Sequence, residues 1–178
     1  MRAKTICAAA LLLSAACAGT PKTQHESSNF DSRARATLDT MKQKDPALQK
    51  MIGQSHGYIV FPQVGKGGFI AGGAHGNGVV YERGRKVGYA ELNQASIGAQ
   101  VGGETFAELI LLQTPQALEK VKRDQFAFGA KASAVAITKG AAAGARFKDG
   151  VAVFIMPEGG LMVDVSVNGQ KIRFEPRG

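Results

Sequence analysis

Residues 57–82 read GYIVFPQVGKGGFIAGGAHGNGVVYE. Within this stretch, apolar side chains cease to recur at helical spacing and fall into short runs divided by glycine. Tyr58 to Phe61 predicts a strand stopped by Pro62, which has no N–H to give to a ladder. Gly68 to Ala74 and Val79 to Glu82 predict a strand pair, with His75-Gly76-Asn77-Gly78 as its turn and Arg83-Gly84-Arg85 as the next one.

The same pattern continues toward the C-terminus. Ala95, Ile97, Ala99 and Val101 alternate with Ser96, Gly98, Gln100 and Gly102, as on a half-buried strand. Phe106 to Leu112 is an unbroken apolar run whose length favours a strand. Thr114-Pro115 opens a helix near 115–123, with Pro at its first position. Ala132 to Ile137, Ala142 to Phe147 and Val151 to Met156 predict short strands. Leu161, Val163, Val165 and Val167 alternate up to Asn168-Gly169, a two-residue hairpin turn, and Ile172 and Phe174 return on the partner strand.

Upstream the period is helical. Phe30, Ala34, Leu38, Met41, Leu48, Met51 and Ile52 fall on one face. Asp45-Pro46 interrupts the run, with Asp45 placed to cap a second short helix. Arg33, Arg35, Lys42, Lys44 and Lys50 occupy the polar face with Asp31 and Asp39. Many short strands with helices at the start and in the middle predict an α+β fold: a curved or barrel-like antiparallel sheet with an N-terminal amphipathic helix.

Composition narrows the possibilities. The chain has 178 residues, 44% of them hydrophobic, which suits one packed domain. Its 23 glycines have no three-residue period, which excludes collagen. Two Cys and three His exclude a Cys-ligated zinc fold and a disulfide scaffold. No metal or other cofactor is expected.

The first residues form an address. Arg2 and Lys4 precede an apolar segment, Ile6 to Ala16, which is too short to span a bilayer. Leu13-Ser14-Ala15-Ala16-Cys17 resembles a bacterial lipobox, with Ser14 where the usual pattern has Leu. The same stretch contains Ala16-Cys17-Ala18, a small-x-small site for ordinary signal peptidase. The Cys stands where the apolar segment ends and a polar stretch begins, which favours lipidation of Cys17. The expected division is a signal peptide at 1–17, a flexible tether at 18–29 and a single domain at 30–176. The 11 residues from Gly19 to Asn29 would reach about 15–20 Å as a coil. Ala18, rather than Asp, after the Cys favours the outer over the inner membrane, with the domain facing the periplasm.

Several motifs look catalytic and are not. Gly53-Gln54-Ser55-His56-Gly57 matches G-x-S-x-G, but the expected helix precedes it and the strand follows, the reverse of a nucleophile elbow. Gly65-Lys66-Gly67-Gly68 lacks the phosphate-loop spacing and a following helix. His25, His56 and His75 are scattered, and Glu104 and Glu108 read as surface acids. No enzyme activity is expected.

The formal charge is +8. Residues 54–90 hold four cations against one acid, as do residues 126–150. The helical segment 30–53 holds five against three. Basic loops beside apolar side chains suit anionic headgroups, each near-surface cation adding about 1 kcal/mol. Aromatics make up 7% and form no stacking array, which argues against nucleic acid.

The stretch from Gly57 to Gly78 resembles the opening signature of the SYLF domain family. Ser96-Ile97-Gly98-Ala99-Gln100-Val101-Gly102-Gly103, the apolar run to Leu112, and Ala132-Ser133-Ala134-Val135-Ala136 follow in family order. The resemblance covers roughly residues 33–166. Two departures stand out. Ile137-Thr138-Lys139-Gly140 replaces a common Gly-Pro, and Val153 to Gly160 replaces an aromatic stretch. The resemblance implies lipid binding, with phosphoinositides and sometimes actin as partners in eukaryotic members, and lipoprotein-like bacterial members. It implies lipid contact at Lys66 and on the basic face of the first helix, Arg33, Arg35, Lys42 and Lys44. The expected partners are anionic membrane lipids, with a covalent anchor at Cys17. The alternative is an envelope structural or protein-interaction module.

Overall fold

The computed structural model describes residues 23–68, 71–97, 103–128, 134–158 and 169–177. The expected signal peptide, Cys17, residues 18–22, the 98–102 glycines and the 161–168 alternation lie outside the described residues.

Helix α1 spans Gln24–Lys44. It starts earlier than the apolar stripe suggests, because Thr23 and Glu26 form a reciprocal capping box. Residues 24–29, assigned to a tether from their polarity, are therefore helical. Ala34, Leu38 and Met41 are buried against the sheet.

Asp45 ends α1 in an extended conformation ahead of Pro46, and α2 follows at Leu48–Gly53. Asp45 is 1% exposed, and its carboxylate reaches further than the expected cap. It accepts the N–H of Ala47 at 3.1 Å, of Gly140 at 3.2 Å and of Ala142 at 2.6 Å. The last two belong to the start of the four-residue helix α4, Ala141–Gly144. One buried carboxylate thus ties the α1–α2 corner to the C-terminal third of the chain.

The strands are β1 Gly57–Gly68, β2 Ala71–Glu82, β3 Arg85–Ile97, β4 Gly103–Leu112, β5 Phe126–Ala127, β6 Val135–Ala136, β7 Val151–Glu158 and β8 Gln170–Pro176. Helix α3, Pro115–Lys122, has Thr114 as its N-cap and Pro at its start. The strands form one curled half-barrel in the order β5-β8-β3-β2-β1-β4-β7-β6. All neighbours are antiparallel except β6 and β7. The α+β class, the curved antiparallel sheet, the N-terminal helix and the second helix near 115–123 are as the sequence implies.

The sheet is covered on both faces. Ile59, Val64, Leu92, Phe106, Ile110 and Leu112 meet α3 in an inner core. Val60, Val79, Leu109 and Leu111 meet α1 and α2 in an outer one. This explains the unbroken apolar run of β4: its residues from 106 to 112 are buried on alternating faces.

Two expected features are corrected. His75-Gly76-Asn77-Gly78 is not a turn; it lies in mid-β2, with Val64 opposite Gly76. Glycine recurs here because side chains of β1 lie over the backbone of β2, not because the chain reverses. Ala142 to Phe147 is not a strand. Gly140, at φ 85°, starts α4, and Asp149 and Gly150, both at positive φ, turn the chain into β7. Of the expected strand at 132–137, only Val135 and Ala136 pair, while 132 and 133 lie outside the described residues.

Candidate functional site

The G-x-S-x-G motif falls where α2 hands over to β1. The Ser55 hydroxyl donates to the Met51 carbonyl at 2.9 Å. His56 Nε2 lies 3.0 Å from Glu82 Oε1, and Lys122 Nζ lies 3.0 Å from the other oxygen of that carboxylate. The bonds from Lys122 and His56 hold Glu82 below the usual carboxylate range. These groups tie α3 to the β1–β2 end of the sheet and leave Ser55 without a base. Among the described residues no group of three His, Cys, Asp or Glu is placed to hold a metal ion, and no helix is long and apolar enough to cross a membrane.

The expected lipid-contact residues do not form one patch. Arg33 and Lys44, three turns apart, share one flank of α1, and Arg35 and Lys42, two turns apart, share the other. The buried stripe runs between the two flanks. Arg33 donates to Gln63 Oε1 at 3.2 Å, and Lys42 pairs with Asp39 at 2.9 Å. Arg35 lies beside Tyr81, whose hydroxyl is pushed above the ordinary tyrosine value by burial while Arg35 opposes the shift. Lys44 is exposed.

Lys66 is apart from all of these. It is 7% exposed, on the inner-core side of β1 two residues past Val64, opposite Ala74 and Glu104. Its side chain lies inside the curl, apart from the cations of α1, a placement that glycine-rich flanks do not reveal because a strand's residue may face either side.

The structure does bring Arg35 to two cations that sequence reasoning did not select. Beside the first turns of α1 lies a polar hollow of about 510 Å³, lined by Ser27, Ser28, Ser32, Arg35, Lys86 and Arg177 among others. Lys86 Nζ donates to both oxygens of Asp31, at 2.9 and 2.7 Å, and to the Tyr89 hydroxyl at 2.6 Å. Burial alone would lower the Lys86 ammonium, but these bonds outweigh it and raise it above the ordinary lysine value. Lys86 and Asp31 thus form the fixed wall, while Arg35 and Arg177 are exposed on the rim. Arg177 joins the hollow because its N–H donates to the Val87 carbonyl at 3.1 Å, just beyond β8. No local pattern around Arg177 announces this, because the contact spans half the chain.

Two guanidinium groups and several serine side chains around an open hollow that also holds Glu175 can hold an oxyanion through charge-assisted bonds. The hollow stands on a curled sheet that is covered on both faces. Residues 93–177 match the family model Ysc84, described as Las17-binding protein actin regulator, consistent with a SYLF domain family member. That family is associated with actin or lipid binding, and its domain is a binding domain not known as an enzyme. No curated protein matches the chain.

Proposed function

We propose that this chain is an exported, non-enzymatic, lipid-anchored module that binds anionic phospholipid headgroups in the bacterial envelope. Cys17 carries the anchor, and the domain faces the periplasm from the outer membrane. The observation that carries the reading is the hollow beside α1, where the exposed Arg35 and Arg177 stand above a Lys86–Asp31 wall. The apolar stripe of α1 is spent on the sheet, since Ala34, Leu38 and Met41 are 7% exposed or less. The helix therefore meets a membrane through charge and not by insertion. Arg33, Lys42 and Lys44 add long-range attraction from the two flanks.

The test uses the full chain carrying Cys17→Ser, so that no anchor contributes. It is expected to sediment with phosphatidylglycerol vesicles and not with phosphatidylcholine vesicles, and to be released by salt. Reversing Arg35 and Arg177 to Glu should weaken binding at least about tenfold, at about 1 kcal/mol per charge. Equal binding to neutral and anionic vesicles would overturn the headgroup reading. Mass spectrometry of the native N-terminal peptide checks the anchor: a diacylglyceryl group on Cys17 is expected, and a bare cleaved end rejects it.

A further inference from the structure

Among the described residues the half-barrel shows no closing pair. Among the described residues β5 pairs with β8 alone and β6 with β7 alone, so the first and last strands of the sheet face each other across a seam. The seam contains a cavity of about 600 Å³, within the range of roughly 300–1,000 Å³ usual for small-molecule sites. One wall is Phe126 and Phe128, whose rings meet edge-on with centroids 5.1 Å apart. The other is Val135, Ala152 and Val153.

The rim has a different chemistry. Lys120, Arg146 and Lys148 line it against the single acid Asp149, and all four are exposed. Arg146 is held at the end of α4 by the Ala145 carbonyl, at 2.9 Å. An apolar slot with a cationic mouth complements a ligand that is apolar along its length and anionic at one end.

We infer that the seam is a binding site for one acyl chain with an anionic head, of the long-chain fatty acid type. The chain lies between the two phenylalanines and the β7 side chains, and the head meets Arg146, Lys148 and Lys120. The inference shares with the proposed function only the premise that the ligand is an anionic lipid. It concerns a different place, and it takes the chain out of the bilayer instead of touching a headgroup at its surface.

The probe is dansyl-undecanoic acid, a fluorescent fatty acid, added to the full chain carrying Cys17→Ser. Saturable one-to-one binding is expected, displaced by palmitate and not by neutral hexadecanol. Ala127 is exposed and lines the cavity, so Ala127→Trp fills the slot without disturbing the core. That variant should keep its circular dichroism and melting temperature and lose probe binding. Arg146→Glu combined with Lys148→Glu should weaken binding roughly tenfold.

Absence of saturable binding would overturn the inference, as would binding indifferent to Ala127→Trp. A dimer that dissociates on Ala127→Trp would also overturn it, by assigning the seam to an interface between copies. The two readings separate cleanly. Reversal of Arg35 and Arg177 should weaken vesicle binding at least about tenfold and leave the probe bound. Probe binding without vesicle binding would sink the headgroup reading alone, and the converse would sink this one alone.

Discussion

Glu108→Gln is expected to make the protein more stable at pH 8 and to flatten its stability between pH 5 and 8. Glu108 is 0% exposed, in β4 between Phe106 and Ile110 and opposite Phe61 and Ile155 in the ladder. Burial pushes its carboxyl up to about 8, with the Gln170 amide pulling the other way. Gln170 Nε2 donates to Glu108 Oε2 at 3.2 Å. This bond joins β4 to β8, strands far apart in the sheet order, and so crosses the inside of the curl. Glu108 Oε1 and Gln170 Oε1 have no hydrogen-bond partner among the described residues. A neutral side chain is therefore favoured at this position.

The sign follows from which state holds the proton. Below the ordinary value of 4.5 both folded and unfolded chains are protonated, and the group's contribution is fully present. As pH rises, the unfolded chain releases its proton first, and stability falls until the folded form also ionises near pH 8. At 1.36 kcal/mol per pH unit over the span from 4.5 to about 8, the loss is about 5 kcal/mol. Gln cannot ionise, and its amide can donate to an unmet acceptor. Urea unfolding of both proteins at pH 5 and pH 8 measures the difference. Parallel losses in the two proteins would show that Glu108 titrates normally.

The second large effect is expected at Gly78. The β1–β2 register shifts between Val60 and Gln63, so Phe61 and Pro62 bulge where β2 has Gly78. A Cβ on Gly78 would stand 2.7 and 2.8 Å from two ring atoms of Phe61 and 3.0 Å from the Val60 carbonyl oxygen. Phe61 is 0% exposed and has nowhere to retreat. Gly78→Ala should cost about 3 kcal/mol, at the upper end for overpacking. Gly53→Ala is the control, since a Cβ there meets nothing within 4 Å and α2 gains a better helix former worth up to about 1 kcal/mol. Chemical denaturation of the two variants checks this, and equal melts would remove the packing role of Gly78.

How far the sequence reaches is clearest where the same residue type was read both rightly and wrongly. Thr114-Pro115 announced α3 because an N-cap hydroxyl and a proline at the first position act within one turn of chain. The length of the run from Phe106 to Leu112 announced a strand, and the structure added that both its faces are covered. The glycines at 76 and 78 were read as a turn because a loop and a crowded strand both exclude side chains, and only the position of β1 separates the two. Ala142 to Phe147 was read as strand, and the reach of Asp45 from the far end of the chain helps fix its first residues in a helix.

The candidate sites divide in the same way. Arg33, Arg35, Lys42 and Lys44 could be placed on a solvent face from helical period alone, but the split into two flanks required knowing which stripe is buried. Glu108 was read as a surface acid and is buried, and the inward side of Lys66 was not legible, since a strand's period gives alternation and not the identity of the inner face. Arg177, Lys86 and the seam between β5 and β6 are absent from any local pattern. By itself the sequence determined the α+β class, the start of α3 set by its cap and proline, and the excess of positive charge, because each acts within a few residues. Only the tertiary structure decided which cations meet, which acid is buried and where the sheet stays open, because those depend on strands far apart in the chain being curled against one another.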